Sequence, residues 1–153
     1  MRLSLIKSAT YPNENADKEL HEFTYSLYPH KGDFREGRVI QAAYDVNRPL
    51  VAHEIGSQTG SMPGVWSLAS VDQDNVVLEV IKKAEDNDDI IIRVYEAHGR
   101  RTRAALQLPE GSSSTAYACD LLENVEAECA VDKSHISFDI RPYEILTFRI
   151  PKA

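Results

Sequence analysis

The residues able to do chemistry are few and scattered. A zinc-hydrolase helix would carry two histidines one turn apart with a glutamate beside the first, so that both rings reach one ion. His21-Glu22 and His53-Glu54 are instead adjacent pairs, whose side chains diverge in an extended chain. Glu96 and His98 share a strand face, yet two ligands do not close a tetrahedral site, and a satisfied surface or core histidine is the better reading. Ser112, Ser113 and Ser114 follow Gly111 without the G-x-S-x-G elbow that exposes a nucleophile. Gly60 and Gly64 open no helix, so no phosphate cradle is expected. The acidic stretches at 85–89 and 123–128 read as solvated turns, and no acid–base pair can be assigned within them. Cys119 and Cys129 are too far apart for a C-x-x-C motif and are expected to be free thiols. The remaining lead is aromatic: Trp66 and Tyr117 have flat faces on which a sugar ring stacks. Trp66 lies in an expected strand, where core packing is the commoner role.

Composition narrows the class. The 153 residues are 42% hydrophobic and 27% charged, within the range of folded soluble domains. A formal net charge of −7 argues against a nucleic-acid partner, which would be met by clustered Lys and Arg. The single dense basic run, Arg100-Arg101-x-Arg103, follows Gly99 and reads as a solvated loop. The first residues turn polar too soon for a signal peptide, and no apolar run approaches the roughly 20 residues that span a bilayer. A cytoplasmic, membrane-free setting is the expectation.

The elements that must position these groups are mostly strands. Leu3, Leu5 and Lys7 alternate with Arg2, Ser4 and Ile6, and Phe23, Tyr25 and Leu27 repeat at period two within His21–Tyr28; both segments predict strands. Asp33 with Glu36 three residues on is a capping box for one helix, Asp33–Asn47, stopped by Arg48-Pro49. Residues 55–64, rich in Gly and Ser, predict a linker between a first domain, 1–54, and a second, 65–153. The second reads as Trp66–Val71, Val76–Ala84, Ile90–His98, Thr102–Leu108, Ala116–Leu122, Ala127–Val131, His135–Ile140 and Glu144–Ile150. Such spacing predicts a mainly β fold, an antiparallel β-sandwich with one α-helix in the N-terminal third. Leu78, Val94, Leu106, Phe138 and Phe148 are the expected inner faces.

One stretch adds a resemblance. His21-Glu22-Phe23-x-Tyr25-x-Leu27-x-Pro29-His30-x-Gly32-Asp33, preceded by Lys7-Ser8-x-x-Tyr11-Pro12-Asn13 and followed by Asn47-Arg48-Pro49-Leu50, resembles the late region of glycoside hydrolase family 38 α-mannosidases. Asn75–Glu79, Arg93–Gly99 and Pro142–Ile150 are similar to the family's terminal β-sandwich. The resemblance implies that residues 1–54 are the tail of a central β supersandwich and 65–153 the small terminal sandwich. It implies a parent enzyme that hydrolyses terminal α-mannosides with retention, through an aspartate nucleophile and a zinc ion in an N-terminal domain absent from this chain. This chain is then expected to be a catalytically silent scaffold with no cofactor of its own. Its partners would be the missing catalytic and central domains, mannose-containing glycans through the parent, and further copies of itself. Lys7, Ser8, Tyr11, Asp17 and His21 would lie on a loop at the substrate rim or, more simply, at a domain interface. Lys7 stands where the family usually has Arg, which removes a bidentate donor, and Phe34 stands for Trp. The rival reading is an independent carbohydrate-binding module that uses Trp66 or Tyr117.

Overall fold

The computed structural model describes residues 2–109 and 111–152. They form two compact units, Met1–Ala52 and His53–Ala153.

The described part of the first unit is irregular chain with turns and one helix, α1, Val39–Asn47. Arg2–Lys7 and His21–Tyr28 form no ladder and carry no helix or turn, against the expectation of strands. The alternation of their side chains is real, but a strand needs a neighbour to take its N–H and C=O groups, and the described residues supply none. The helix is also shorter than Asp33–Asn47. Asp33 does act as a cap, its Oδ1 accepting from Arg35 N at 2.8 Å and Glu36 N at 3.1 Å. That capped turn then breaks at Arg38, which takes a left-handed φ of 51° and so starts the helix proper at Val39. No described residue of 2–52 is buried, and Tyr25 and Leu27 are 72% and 76% exposed.

The second unit holds eight antiparallel strands: β1 Ser70–Val71, β2 Val76–Lys83, β3 Ile90–Glu96, β4 Thr102–Gln107, β5 Thr115–Cys119, β6 Val125–Asp132, β7 His135–Ile140 and β8 Ile145–Ile150. Their order is β1-β4-β7-β6-β5-β8-β3-β2. β6 makes the corner: residues 125–130 run beside β5, whereas Val131 and Asp132 pair with Ile136 and His135 of β7. This strand therefore joins two layers, a device that lets an antiparallel sandwich turn without a free connection. Lys133 and Ser134, both at positive φ, close the β6–β7 hairpin in the handedness that suits strand twist.

The core lies between these layers. Ile92, Val94, Leu106, Ile136, Ile140 and Phe148 are buried in it, with Leu78 and Phe138 packed against them. All five expected inner residues are thus in or on the core, and the Phe138 and Phe148 rings meet at 5.1 Å. Trp66 is not. It precedes β1, which is far shorter than the expected Trp66–Val71, and is 56% exposed. Its chain neighbours Gly64, Val65 and Ser67 are exposed as well. No described helix is long and apolar enough to cross a membrane.

Candidate functional site

Two polar centres lie in the second unit; the spacing of Glu96 and His98 pointed to the first, and the second was expected only as solvated turns. The first is Glu96. Even-numbered positions of β3 face the core, so Glu96 continues the row Ile92, Val94 and closes one end of the apolar interior at 1% exposure. A bare carboxylate there would be costly, and four donors compensate it. Oε1 accepts from Asn75 Nδ2 at 2.7 Å and His98 N at 2.8 Å; Oε2 accepts from Gly99 N at 2.7 Å and Tyr143 N at 3.0 Å. Burial by itself pushes this carboxyl up, but those hydrogen bonds outweigh it and hold the group at about 2. Asn75, fully buried, also donates to Thr102 Oγ1 at 2.7 Å and accepts from Arg100 at 3.2 Å.

The geometry explains why these residue types are needed. Gly99 has φ +73°, and an added Cβ would meet the Tyr143 ring, its hydroxyl 2.5 Å away. Tyr143 itself has φ 57°. Glu96 therefore ties two tight connections, β3–β4 and β7–β8, to one carboxylate. It holds backbone rather than substrate, and His98 contributes its N–H. His98, expected as a satisfied surface or core histidine, is buried.

The second centre corrects an expectation. The acidic stretches at 85–89 and 123–128 are not simply solvated. Glu123 is buried, with φ 71°, and its carboxylate accepts from Lys82 Nζ at 2.7 Å and Glu85 N at 2.9 Å, which together hold it below the usual range. Arg149 bonds Asp89 at 2.7 Å, Asp86 at 2.7 Å and the Glu123 carbonyl at 3.5 Å. Arg93 adds a bond to the Leu121 carbonyl at 3.2 Å. Lys82 reaches this face because an extra residue in β2 between Leu78 and Val80 reverses which side chains point outward. Such a bulge leaves no mark in the hydrophobic pattern, which is why the cluster was missed.

The residues expected at a rim or interface, Lys7, Ser8, Tyr11, Asp17 and His21, are all exposed on one irregular segment of the first unit. Asp17 is left-handed at φ 56°, its carbonyl lies 2.9 Å from His21 Nε2, and the His21 ring stacks on Phe23 at 5.9 Å. The Tyr11–Pro12 peptide is cis. Tyr117 sits on β5, half-buried, opposite Glu128. Cys119, buried, faces Val125, and Cys129, half-buried, faces Ala116, so the ladder holds the two sulfurs at different rungs and both are free. Among the described residues no group of three or more His, Cys, Asp or Glu is placed to hold a metal ion.

Comparison with known proteins matches residues 75–148 to the glycosyl hydrolases family 38 C-terminal beta sandwich domain. Alpha-mannosidase 2C1 of Homo sapiens is 36% identical over 152 residues, covering 96% of this chain and 14% of that protein. The chain belongs to glycosyl hydrolase family 38. Two further relatives agree. Alpha-mannosidase 2C1 of Mus musculus is 36% identical over 152 residues, covering 95% of the chain and 14% of its own length. Alpha-mannosidase G of Dictyostelium discoideum is 32% identical over 153 residues, covering 96% and 14%. The chain thus spans 14% of the length of each of these family 38 relatives. The Glu96 centre and most of the Glu123 centre fall inside the matched domain, as parts of its framework.

Proposed function

We propose that this chain is the non-catalytic C-terminal β part of an α-mannosidase, acting as a scaffold for the rest of that enzyme. The observation that carries the reading is the bareness of the first unit. Residues 2–52 hold Phe23, Tyr25, Leu27, Tyr28 and Val46 in solvent, and a groove of about 320 Å³ lies open between residues 24–28 and α1. Large apolar side chains left uncovered each forgo about 1.5–3 kcal/mol of burial, so a neighbouring layer is called for. Relatives that are α-mannosidases along nearly the whole of this chain, and seven-fold longer, supply the natural candidate for that layer. In this reading hydrolysis of terminal α-mannosides, and the zinc ion that serves it, belong to the parent's other domains. The 7–21 loop packs at a domain interface rather than on sugar. Two thiols held on different rungs suit a reducing, cytoplasmic setting. Without the rest of the enzyme, the chain associates with its own copies through residues 1–54.

A direct test mixes the purified chain with Dictyostelium alpha-mannosidase G lacking its aligned C-terminal region. The expected result is a complex in which amides of residues 21–28 become protected from exchange, while the chain alone does not turn over an aryl α-mannoside. Chelator-sensitive turnover by the chain alone overturns the reading. So does a strictly monomeric chain whose 21–28 amides are already protected. Exposure of Trp66 keeps the carbohydrate-binding alternative open to one measurement: glycan binding by the isolated chain, lost in Trp66→Ala, decides for it.

A further inference from the structure

At one end of the second unit the β3–β4 and β7–β8 connections lie side by side, because Thr102 pairs with Ile140 and Arg101 and Arg141 stand next in line. In the β7–β8 connection Glu144 N–H donates to the Arg141 carbonyl at 3.1 Å, Pro142 takes the second position, and Tyr143 takes the third at φ 57°. That is the pattern of a type II turn, whose third position favours glycine because only a residue without Cβ adopts positive φ freely. A tyrosine there is strained, yet the fold does not ask for its ring. The tie to Glu96 runs through the Tyr143 amide, which a glycine would keep. Nor is the ring a core anchor, since the residue is 68% exposed. Gly99 makes room for it: a Cβ at that position would lie 2.8 Å from the ring carbon Cζ. Two positions are thus given over to holding an aromatic ring in solvent, and backbone strain without a packing gain points to a ligand. The ring stands among charged groups. Arg100 bonds Asp74 at 2.7 Å, and Arg141 Nε bonds Glu144 at 2.8 Å. Arg101 is exposed and has no hydrogen bond or ion pair among the described residues. It lies near Glu144, whose carboxyl is held below the usual range by Arg141 and, to a smaller extent, by the charge of Arg101.

We propose that Tyr143 and Arg101 form a surface subsite for one pyranose ring of a mannose-containing glycan. The C–H face of the sugar lies on the tyrosine ring, and its hydroxyls meet the Arg101 guanidinium and the Glu144 carboxylate. The choice of mannose rests on the α-mannosidase reading above, whereas the stacking chemistry does not. A pyranose carries apolar C–H groups on its face and hydroxyls around its rim, which matches a flat ring bordered by a free donor and an acceptor. An anion fits less well, because Glu144 stands beside the one free guanidinium and repels it. A protein partner also fits less well. A docking hot spot needs a surround that excludes water, and the flanking Arg100, Arg101 and Arg141 are exposed charges. The subsite binds sugar without reacting with it, so the chain stays catalytically silent.

The test is titration of the isotope-labelled chain with an α-linked mannobiose, read from amide chemical shifts, with mannitol as a control that has hydroxyls but no ring. Shifts at Gly99, Arg101 and Tyr143 are expected with mannobiose and not with mannitol. Tyr143→Gly should weaken binding about tenfold, the loss of one aromatic contact. Its urea midpoint should not fall, because glycine adopts this φ without strain. Arg101→Gln should weaken binding about threefold or more, Tyr143→Phe should retain it, and Trp66→Ala should leave it unchanged. Unchanged binding in Tyr143→Gly overturns the subsite, and with a lowered urea midpoint it gives the ring a structural role instead. Loss of binding in Trp66→Ala, or an equal response to mannitol, overturns it as well. If the wild type does not respond to mannobiose, the subsite falls while the scaffold reading stands. Chelator-sensitive turnover by the chain sinks the scaffold reading and leaves this titration unaffected.

Discussion

Glu96 shows how one side chain can set the acid tolerance of a sandwich. Its carboxylate is the shared acceptor for Asn75, His98, Gly99 and Tyr143, and truncation would leave four donors facing an apolar end of the core. Glu96→Ala should destabilise the second unit by about 3 kcal/mol, since buried donors without acceptors cost about 1–3 kcal/mol each where water does not reach them. The pH dependence follows from the lowered pKa. A group at about 2 when folded and 4.5 when unfolded contributes stability that is complete above about pH 4.5 and fades as pH falls toward 2. The amount is about 3 kcal/mol at 1.36 kcal/mol per pH unit. Urea unfolding followed at pH 6 and pH 2.5 in wild type and Glu96→Gln should show the gap between the two narrowing in acid. An equal gap at both pH values would mean that the carboxylate is not the group at work.

At the level of elements, the two halves of the chain should respond oppositely to loss of apolar bulk. Leu106 on β4 is fully buried, so Leu106→Ala should cost about 2–5 kcal/mol in the unfolding of the second unit. Leu27 is mostly in solvent, and Leu27→Ala should change that unfolding by no more than about 0.5 kcal/mol. Chemical denaturation of dilute chain separates the two. The same contrast explains which elements were legible. Strands β2 to β8 were readable because alternation, turn residues and a facing layer all agree on the same segments. Leu3–Lys7 and His21–Tyr28 carry equally good alternation, yet they are not strands here, because a ladder is a property of two segments and alternation of only one. The helix was readable in kind but not in extent: Asp33 caps as expected, and nothing in local pattern marks the left-handed Arg38 that separates the capped turn from α1.

For the molecule as a whole, the two units should part under proteolysis. Residues 48–67 are exposed throughout, without helix or strand, and an added Cβ at Gly56, Gly60 or Gly64 would touch nothing within 4 Å. Brief trypsin or elastase treatment should therefore cut within 2–67 and leave a resistant fragment beginning near Ser70, with the unfolding midpoint of the uncut chain. Cleavage inside β2–β8 at a comparable rate would contradict the stability assigned to the second unit.

Sequence by itself determined the class and the family: eight of the ten expected strands, the inner row from Leu78 to Phe148, and motifs such as Arg93–Gly99 that mark family 38. These are local or near-local signals, carried by period, turn chemistry and short residue strings. Tertiary structure alone decided the polar centres and the free surfaces. Glu96 reads as one acidic residue at a strand end until the fold brings Asn75 and Tyr143 to it from 21 and 47 positions away. Lys82 reaches Glu123 only because a bulge in β2 turns it outward. Trp66, expected inside, lies outside because burial requires a covering layer, and where the layers end is set by the packing of all eight strands together.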